Sequence, residues 1–179
     1  MTEGGSHVKA SPLRRSVGLA ALVWLSMIAV DFLIHAGLLA SLYTQRSPFL
    51  LPPELAFARI PLSYLSFLLL AILLLWLASA LKVAGTRSGF LLGLKLGALI
   101  WGAFVIGLAS ISTASPALLL GWFAGQTLEM GIGGAVTGYG LQAASLRPLA
   151  VRIGLLLLAS IILTIVLQSL GFGPAAQTR

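Results

Sequence analysis

The chain contains no cysteine and very few charged residues. It has 179 residues, of which 8% are charged and 59% are hydrophobic. The absence of cysteine excludes disulfides, thiolate metal sites, cysteine nucleophiles and c-type haem attachment. So few charges cannot cover a water-soluble surface of this size, whereas lipid can face apolar side chains directly. We therefore predict an all-α, polytopic integral membrane helical bundle.

Acidic residues are scarce, and basic residues dominate the small charged fraction. Eleven lysines and arginines face four acids, which gives a net charge of +7. The basic residues are spread singly and concentrate beside apolar segments, as membrane topology requires. We interpret the charge as an orientation signal, so the predicted partner is the lipid bilayer and not a nucleic acid.

Five apolar runs are each close to the ~20 residues that a helix needs to cross a bilayer. They cover about 17–40, 61–82, 89–109, 117–141 and 149–170. With the N-terminus inside, eight of the eleven basic residues fall on the inner side, namely Lys9, Arg14, Arg15, Lys82, Arg87, Lys95, Arg147 and Arg152. Only Arg46, Arg59 and Arg179 fall outside. The positive-inside rule then predicts five transmembrane helices with the N-terminus in and the C-terminus out.

The remaining segments are short. We predict a disordered cytoplasmic tail over 1–12, a single bundle over 13–170 and a short outer tail over 171–179. The connection 41–60 is too apolar for a free loop and too proline-broken for a span, which favours an outer interfacial loop. It is either an anchor, together with Tyr43 and Tyr64, or a cap over the outer mouth of the bundle. The first run is too long for a signal peptide.

Glycines recur at four-residue spacing on the third and fourth runs, and this spacing lets membrane helices approach closely. The predicted packing positions are Gly89, Gly93, Gly97, Gly121, Gly125, Gly134 and Gly138. We expect them to pack helices within the chain. A homodimer face is the alternative.

Two acids, Asp31 and Glu129, lie near the middle of their runs, where a carboxyl group is costly and marks a candidate site. His35 follows Asp31 by four residues and Gln126 precedes Glu129 by three, so each pair shares one helical face. On antiparallel helices the two acids fall at one depth, with His35 facing Gln126. The sequence predicts a proton or ligand site formed by Asp31, His35, Gln126 and Glu129.

Two carboxyls close together in a low dielectric cannot both stay ionised, so we expect the pair to hold at least one proton at neutral pH. His35 could share or relay it. The opposing interpretation treats these side chains as interhelical hydrogen-bonding groups, each worth only ~0.6 kcal/mol.

Asp31, His35 and Glu129 also offer ligand types that suit Mn, Fe or Zn. No HExxH motif or second intramembrane histidine accompanies them. We therefore predict no metal and no cofactor. Serines near the outer ends of the runs lack a GxSxG context, so no catalytic residue is predicted.

These features favour a small membrane protein of the carrier (transporter) or ligand-binding type, with the choice between transport, sensing and scaffolding left open. Richness in Ala, Leu and Gly, with arginine over lysine, is typical of a bacterial chain and predicts the inner membrane. The first alternative is a non-catalytic accessory or assembly subunit of a larger membrane complex. The second alternative is a lipid-modifying membrane enzyme. The sequence favours a protein without enzymatic activity over an enzyme.

Overall fold

The computed structural model describes residues 12–44 and 49–172, and these residues form helices and short connections without strands. The helices are α1 (Pro12–Asp31), α2 (Ala40–Thr44), α3 (Pro53–Ala58), α4 (Ile60–Ala80), α5 (Thr86–Ile111), α6 (Pro116–Gln142) and α7 (Arg147–Leu167). A π-helical segment, Phe32–Leu38, continues α1, and a second one, Gln168–Phe172, continues α7. The all-helical class is as predicted.

Four helical stretches are long and apolar enough to cross a membrane. They are Pro12–Leu38, Ile60–Ala80, Thr86–Ile111 and Arg147–Phe172. They match the first, second, third and fifth predicted runs, with ends shifted by a few residues. Their length and composition suggest a membrane protein. The fifth long helix, α6, is not among the four, because glycines, Gln126 and Glu129 dilute its apolar side chains.

Parts of the predicted tails and loop lie outside the described residues. The N-terminal tail is described only at Pro12, which begins α1. Of the predicted outer tail, Gly171 and Phe172 end the second π segment. The connection 41–60 contains α3 and most of α2, and residues 45–48 between them lie outside the description.

Helix α6 lies at the centre of the bundle. Its packing partners are α5 along its length, and α1 and α4 on other faces. It buries thirteen residues, whereas α5 buries only Gly89, Gly93 and Gly97. A helix face packed against protein does not need apolar side chains, which explains why the buried faces of α6 tolerate its polar residues.

Helices α5 and α6 meet backbone to backbone. A Cβ added to Gly93 would lie 2.0 Å from the Met130 carbonyl oxygen, and one added to Gly89 would lie 2.1 Å from that of Gly134. Only glycine permits this approach. Five of the seven predicted packing glycines lie in this interface, namely Gly89, Gly93, Gly97, Gly134 and Gly138. These five glycines already contact the neighbouring helix of the same chain, so they are not free to form a homodimer face.

The other two packing glycines, Gly121 and Gly125, lie on a different face of α6. An added Cβ at Gly121 would lie 3.2 Å from Leu39 and Leu42 side chains, and one at Gly125 would lie 3.0 Å from Ile34. This second glycine face brings α6 against the π segment that follows α1.

Contacts at one end of the bundle fix the relative direction of its helices. The Arg15 guanidinium donates to the carbonyls of Gly140, at 3.0 Å, and Ala143. These carbonyls end α6, where a cation complements the helix dipole. The Gly85 amide donates to the Gly138 carbonyl at 3.0 Å. The start of α1, the start of α5 and the end of α6 therefore share one end, and α6 runs antiparallel to both.

Candidate functional site

The backbone changes from α-helix to π-helix at the candidate site. Asp31 is the last residue of α1, and His35 lies inside the π segment Phe32–Leu38. The Leu39 amide donates to the carbonyl of Ile34, five residues earlier, at 2.8 Å. Single π-helical turns inside membrane or soluble helices occur frequently at functional sites.

The last helix holds this π segment in place. The Thr164 hydroxyl donates to the Phe32 carbonyl at 3.4 Å, and the Gln168 amide donates to the Ala36 carbonyl at 2.8 Å. Gly37 lets α7 approach, since a Cβ there would lie 3.1 Å from the Leu167 side chain. The π segment is thus supported by side chains far away in sequence.

The structure brings the four predicted site residues together around the His35 imidazole. Its Nε2 lies 3.2 Å from Glu129 Oε1 and 3.8 Å from Asp31 Oδ1. The Gln126 Nε2 also lies 3.2 Å from it. One ligand atom each of Asp31, His35 and Glu129 lies within 4.8 Å of the others. That these residues bind a ligand stays a prediction.

Glu129 is fully buried, and its carboxyl has no hydrogen bond to any residue that the structure describes. Its exposed fraction is 0%, and within the described part of the chain neither carboxyl oxygen has a hydrogen-bond partner. The 3.2 Å approach to His35 lacks the direction of a hydrogen bond. Gln126 Oε1 is likewise buried without a partner there. Burying such groups without partners costs several kcal/mol.

Two aromatic residues hold the other side of the imidazole. His35 Nδ1 lies 2.5 Å from the Tyr43 hydroxyl, and the Trp122 indole N–H donates to that hydroxyl at 2.6 Å. Burial raises the pKa of the Tyr43 hydroxyl above its ordinary value, so it stays protonated at physiological pH. Tyr43 and Trp122 therefore fix the ring of His35 without adding charge.

Hydrogen-bonding roles follow from the orientation of Gln126. Its amide nitrogen faces His35 Nε2, and an amide nitrogen only donates. In this orientation Nε2 accepts, which assigns the imidazole proton to Nδ1, next to the Tyr43 oxygen. The Nε2 lone pair is thus taken up by the Gln126 amide, at the edge of the ring that also approaches the two carboxyl groups.

The site is deep but not sealed on every side. The Asp31 and His35 side chains are 17% and 12% exposed, against 0% for Glu129. A ligand would therefore approach past Asp31. A separate open depression of about 700 Å³ is lined by Phe49, Leu108, Ser110, Ile111, Ser112 and Thr113, and it contains none of the four site residues.

Sequence reasoning did not assign four residues that support the site. Trp122 precedes Gln126 by four residues and Glu129 by seven, so helical spacing alone places it on their face. Tyr43 is predicted as an interfacial anchor, whereas the structure directs its hydroxyl to His35. Thr164 and Gln168 are four apart on the last run, but nothing in the sequence links them to the π segment.

Comparison of the chain with protein-family models, with curated proteins and with solved structures finds no match. The function must therefore be inferred from the site itself, because a helical bundle alone does not imply one.

Proposed function

We propose that this protein is a membrane carrier or ligand-binding protein whose polar site takes up a proton or a small polar ligand. The site consists of Asp31, His35, Gln126 and Glu129. The observation that carries the proposal is the fully buried Glu129 carboxyl without a hydrogen bond among the described residues. A residue that only joins helices would be bonded to the neighbouring helix.

The arrangement around Glu129 supports this function. A second carboxyl, Asp31, and an imidazole, His35, lie within reach of it. In a low dielectric the pair of carboxyls needs a proton or another positive group between them. Partial exposure of Asp31 provides a route for such a ligand.

The proposal includes five spans, with the N-terminus in and the C-terminus out, in a bacterial inner membrane. Helix α6 packs against α5 from Gly97 to Gly85, and so it extends through the same depth as a helix that is apolar enough to cross. The starts of α1 and α5 and the end of α6 lie together. The described basic residues near them are among the eight that the positive-inside rule places on the inner side. Both observations support a fifth crossing by α6.

The accessory-subunit alternative gains no support from the seven packing glycines, since each of them already contacts another helix of this chain. No described residue arrangement favours a lipid-modifying enzyme.

Infrared difference spectroscopy tests the proposed site. We expect the wild-type protein, after a chelator has removed any bound cation, to retain a protonated-carboxyl band at pH 7, because two adjacent carboxyls do not both ionise there. Glu129→Gln should remove or shift that band, because Asp31 is then left without a second carboxyl. Glu54→Gln, which removes the acid of the connection 41–60, is the control. Complete ionisation of both carboxyls below pH 5 would contradict the proposal, provided that circular dichroism shows the fold unchanged.

A further inference from the structure

The spacing of three side-chain atoms at the site fits a metal ion. Ligands ~2.1 Å from a tetrahedrally bound ion lie ~3.4 Å from one another. His35 Nε2 and Glu129 Oε1 are 3.2 Å apart, and His35 Nε2 and Asp31 Oδ1 are 3.8 Å apart. All three ligand atoms lie within 4.8 Å. A contraction of at most about 1.4 Å in any of these separations, from 4.8 Å to ~3.4 Å, would complete three bonds to one ion.

The buried groups without partners give an independent reason for a cation. Glu129 is fully buried, and neither of its oxygens has a hydrogen-bond partner in the described part of the chain. Gln126 Oε1 is buried next to them and has none either. All three atoms are oxygens that accept and cannot donate when Glu129 is ionised. A cation bound at Glu129 would neutralise its carboxylate, and rotation of the Gln126 amide would let Gln126 Oε1 join it.

The histidine is held as a ligand histidine usually is. Metal-binding imidazoles commonly use one nitrogen for the ion and donate the other N–H to a fixed partner. His35 directs Nδ1 to the Tyr43 hydroxyl and Nε2 towards the carboxyls. Rotation of the Gln126 amide would replace its nitrogen by Oε1 and offer a fourth ligand.

Charge and ligand type select the kind of ion. Two carboxylates carry two negative charges, so a divalent cation makes the buried cluster neutral, whereas a monovalent one leaves it charged. Calcium and magnesium prefer oxygen ligands throughout, whereas Mn, Fe and Zn accept imidazole with carboxylates. The chain has no cysteine to favour a soft ion such as Cu(I).

We infer that the ligand of this site is a divalent first-row transition-metal ion, bound by Asp31, His35 and Glu129, with Gln126 as the fourth protein ligand and Tyr43 positioning the imidazole. The inference rests on the proposed function and names its ligand. Because Asp31 is partly exposed, the ion can exchange, as a carrier or a sensor requires.

Cobalt binding to the full chain in lipid nanodiscs tests the inference, since Co²⁺ bound by nitrogen and oxygen ligands has visible absorption bands. We expect saturation at one Co²⁺ per chain, with displacement by Zn²⁺ and not by Mg²⁺ or Ca²⁺. His35→Ala and Glu129→Gln should abolish the bands. His7→Ala and Glu54→Gln, which change the other histidine and one of the two acids not named as ligands, should leave the bands unchanged.

A milder variant separates a loss of metal binding from a loss of the fold. Tyr43→Phe removes one hydroxyl and no ligand, and it should weaken Co²⁺ binding by about 10–100-fold, the range for such supporting groups. Wild-type protein without cobalt bands, or full binding by folded His35→Ala, would overturn the inference. If cobalt does not bind while the carboxyl band at pH 7 is present, the metal inference falls and the proposed function stands. If neither cobalt binding nor the carboxyl band is observed, both the metal inference and the proposed function are contradicted.

Discussion

Gly125 determines how closely α6 approaches the imidazole of His35. A Cβ added at this position would lie 3.1 Å from His35 Nε2 and 3.0 Å from the Ile34 side chain. Both distances are tighter than ordinary van der Waals contact, so a methyl group would push the imidazole away from Glu129. Gly125 is therefore a site residue as well as a packing residue, although sequence spacing indicates only packing.

We expect Gly125→Ala to lower the free energy of unfolding by about 1–3 kcal/mol, as overpacking does. It should also weaken cobalt binding, because His35 is displaced. Gly107→Ala on α5 is the matched control: its Cβ meets nothing within 4 Å, so stability should stay equal or rise by up to ~1 kcal/mol. Denaturant unfolding of the purified protein, followed by circular dichroism, measures both. Equal stability of the two variants would refute a special role for Gly125.

At the scale of elements, the π segment connects the site with α7. The carbonyls of Phe32 and Ala36 accept hydrogen bonds from Thr164 and Gln168, which lie one turn apart. The turn is therefore supported on one side by α7 and on the other by the glycine face of α6. This double support explains how a less regular helix persists beside a polar site.

The α5–α6 contact depends on glycine more strictly than any other contact between long helices that the structure describes. A Cβ at Gly93 would lie 2.0 Å from the Met130 carbonyl oxygen, which is backbone and cannot rotate away. We expect Gly93→Ala to destabilise the protein by ~3 kcal/mol or more, the upper end of overpacking costs. Gly154→Ala on α7, where the added Cβ meets nothing within 4 Å, should be neutral. Thermal unfolding in detergent measures this difference, and equal midpoints would show that the helices are not in backbone contact.

For the whole molecule, the number of membrane crossings depends on whether α6 crosses, and the orientation depends on which of its ends faces outward. The chain has no cysteine, so a single introduced cysteine reports its own location. Thr113 precedes α6 and Ser145 follows it, and both are exposed. If α6 crosses the membrane, these two positions lie on opposite sides.

We expect a membrane-impermeant maleimide to label Thr113→Cys in intact spheroplasts, and Ser145→Cys only after permeabilisation. This result follows from five spans with the N-terminus inside. Labelling of both positions from outside would show that α6 does not cross. The reverse pattern would keep the crossing and invert the orientation.

Much of the helical pattern was predictable from the sequence, because span length and helical period are local properties. Apolar runs locate four of the long helices, and prolines such as Pro116 mark helix starts. The spacing of Asp31 to His35 and of Gln126 to Glu129 places these pairs on shared faces. The prediction of no metal rests on the absence of local ligand motifs. A local motif cannot indicate ligands that come from two helices far apart in the sequence, such as His35 and Glu129.

The sequence by itself determined the all-helical class, the apolar helices and the two acids at mid-helix, because each follows from neighbouring residues. Only the tertiary structure decided that α6 lies at the centre, that a π turn redirects His35, and that Tyr43 and Trp122 hold its ring. That the Glu129 carboxyl has no hydrogen-bond partner among the described residues also emerged only there. These features depend on which helices adjoin, and that choice follows from close glycine contacts between segments far apart in the chain.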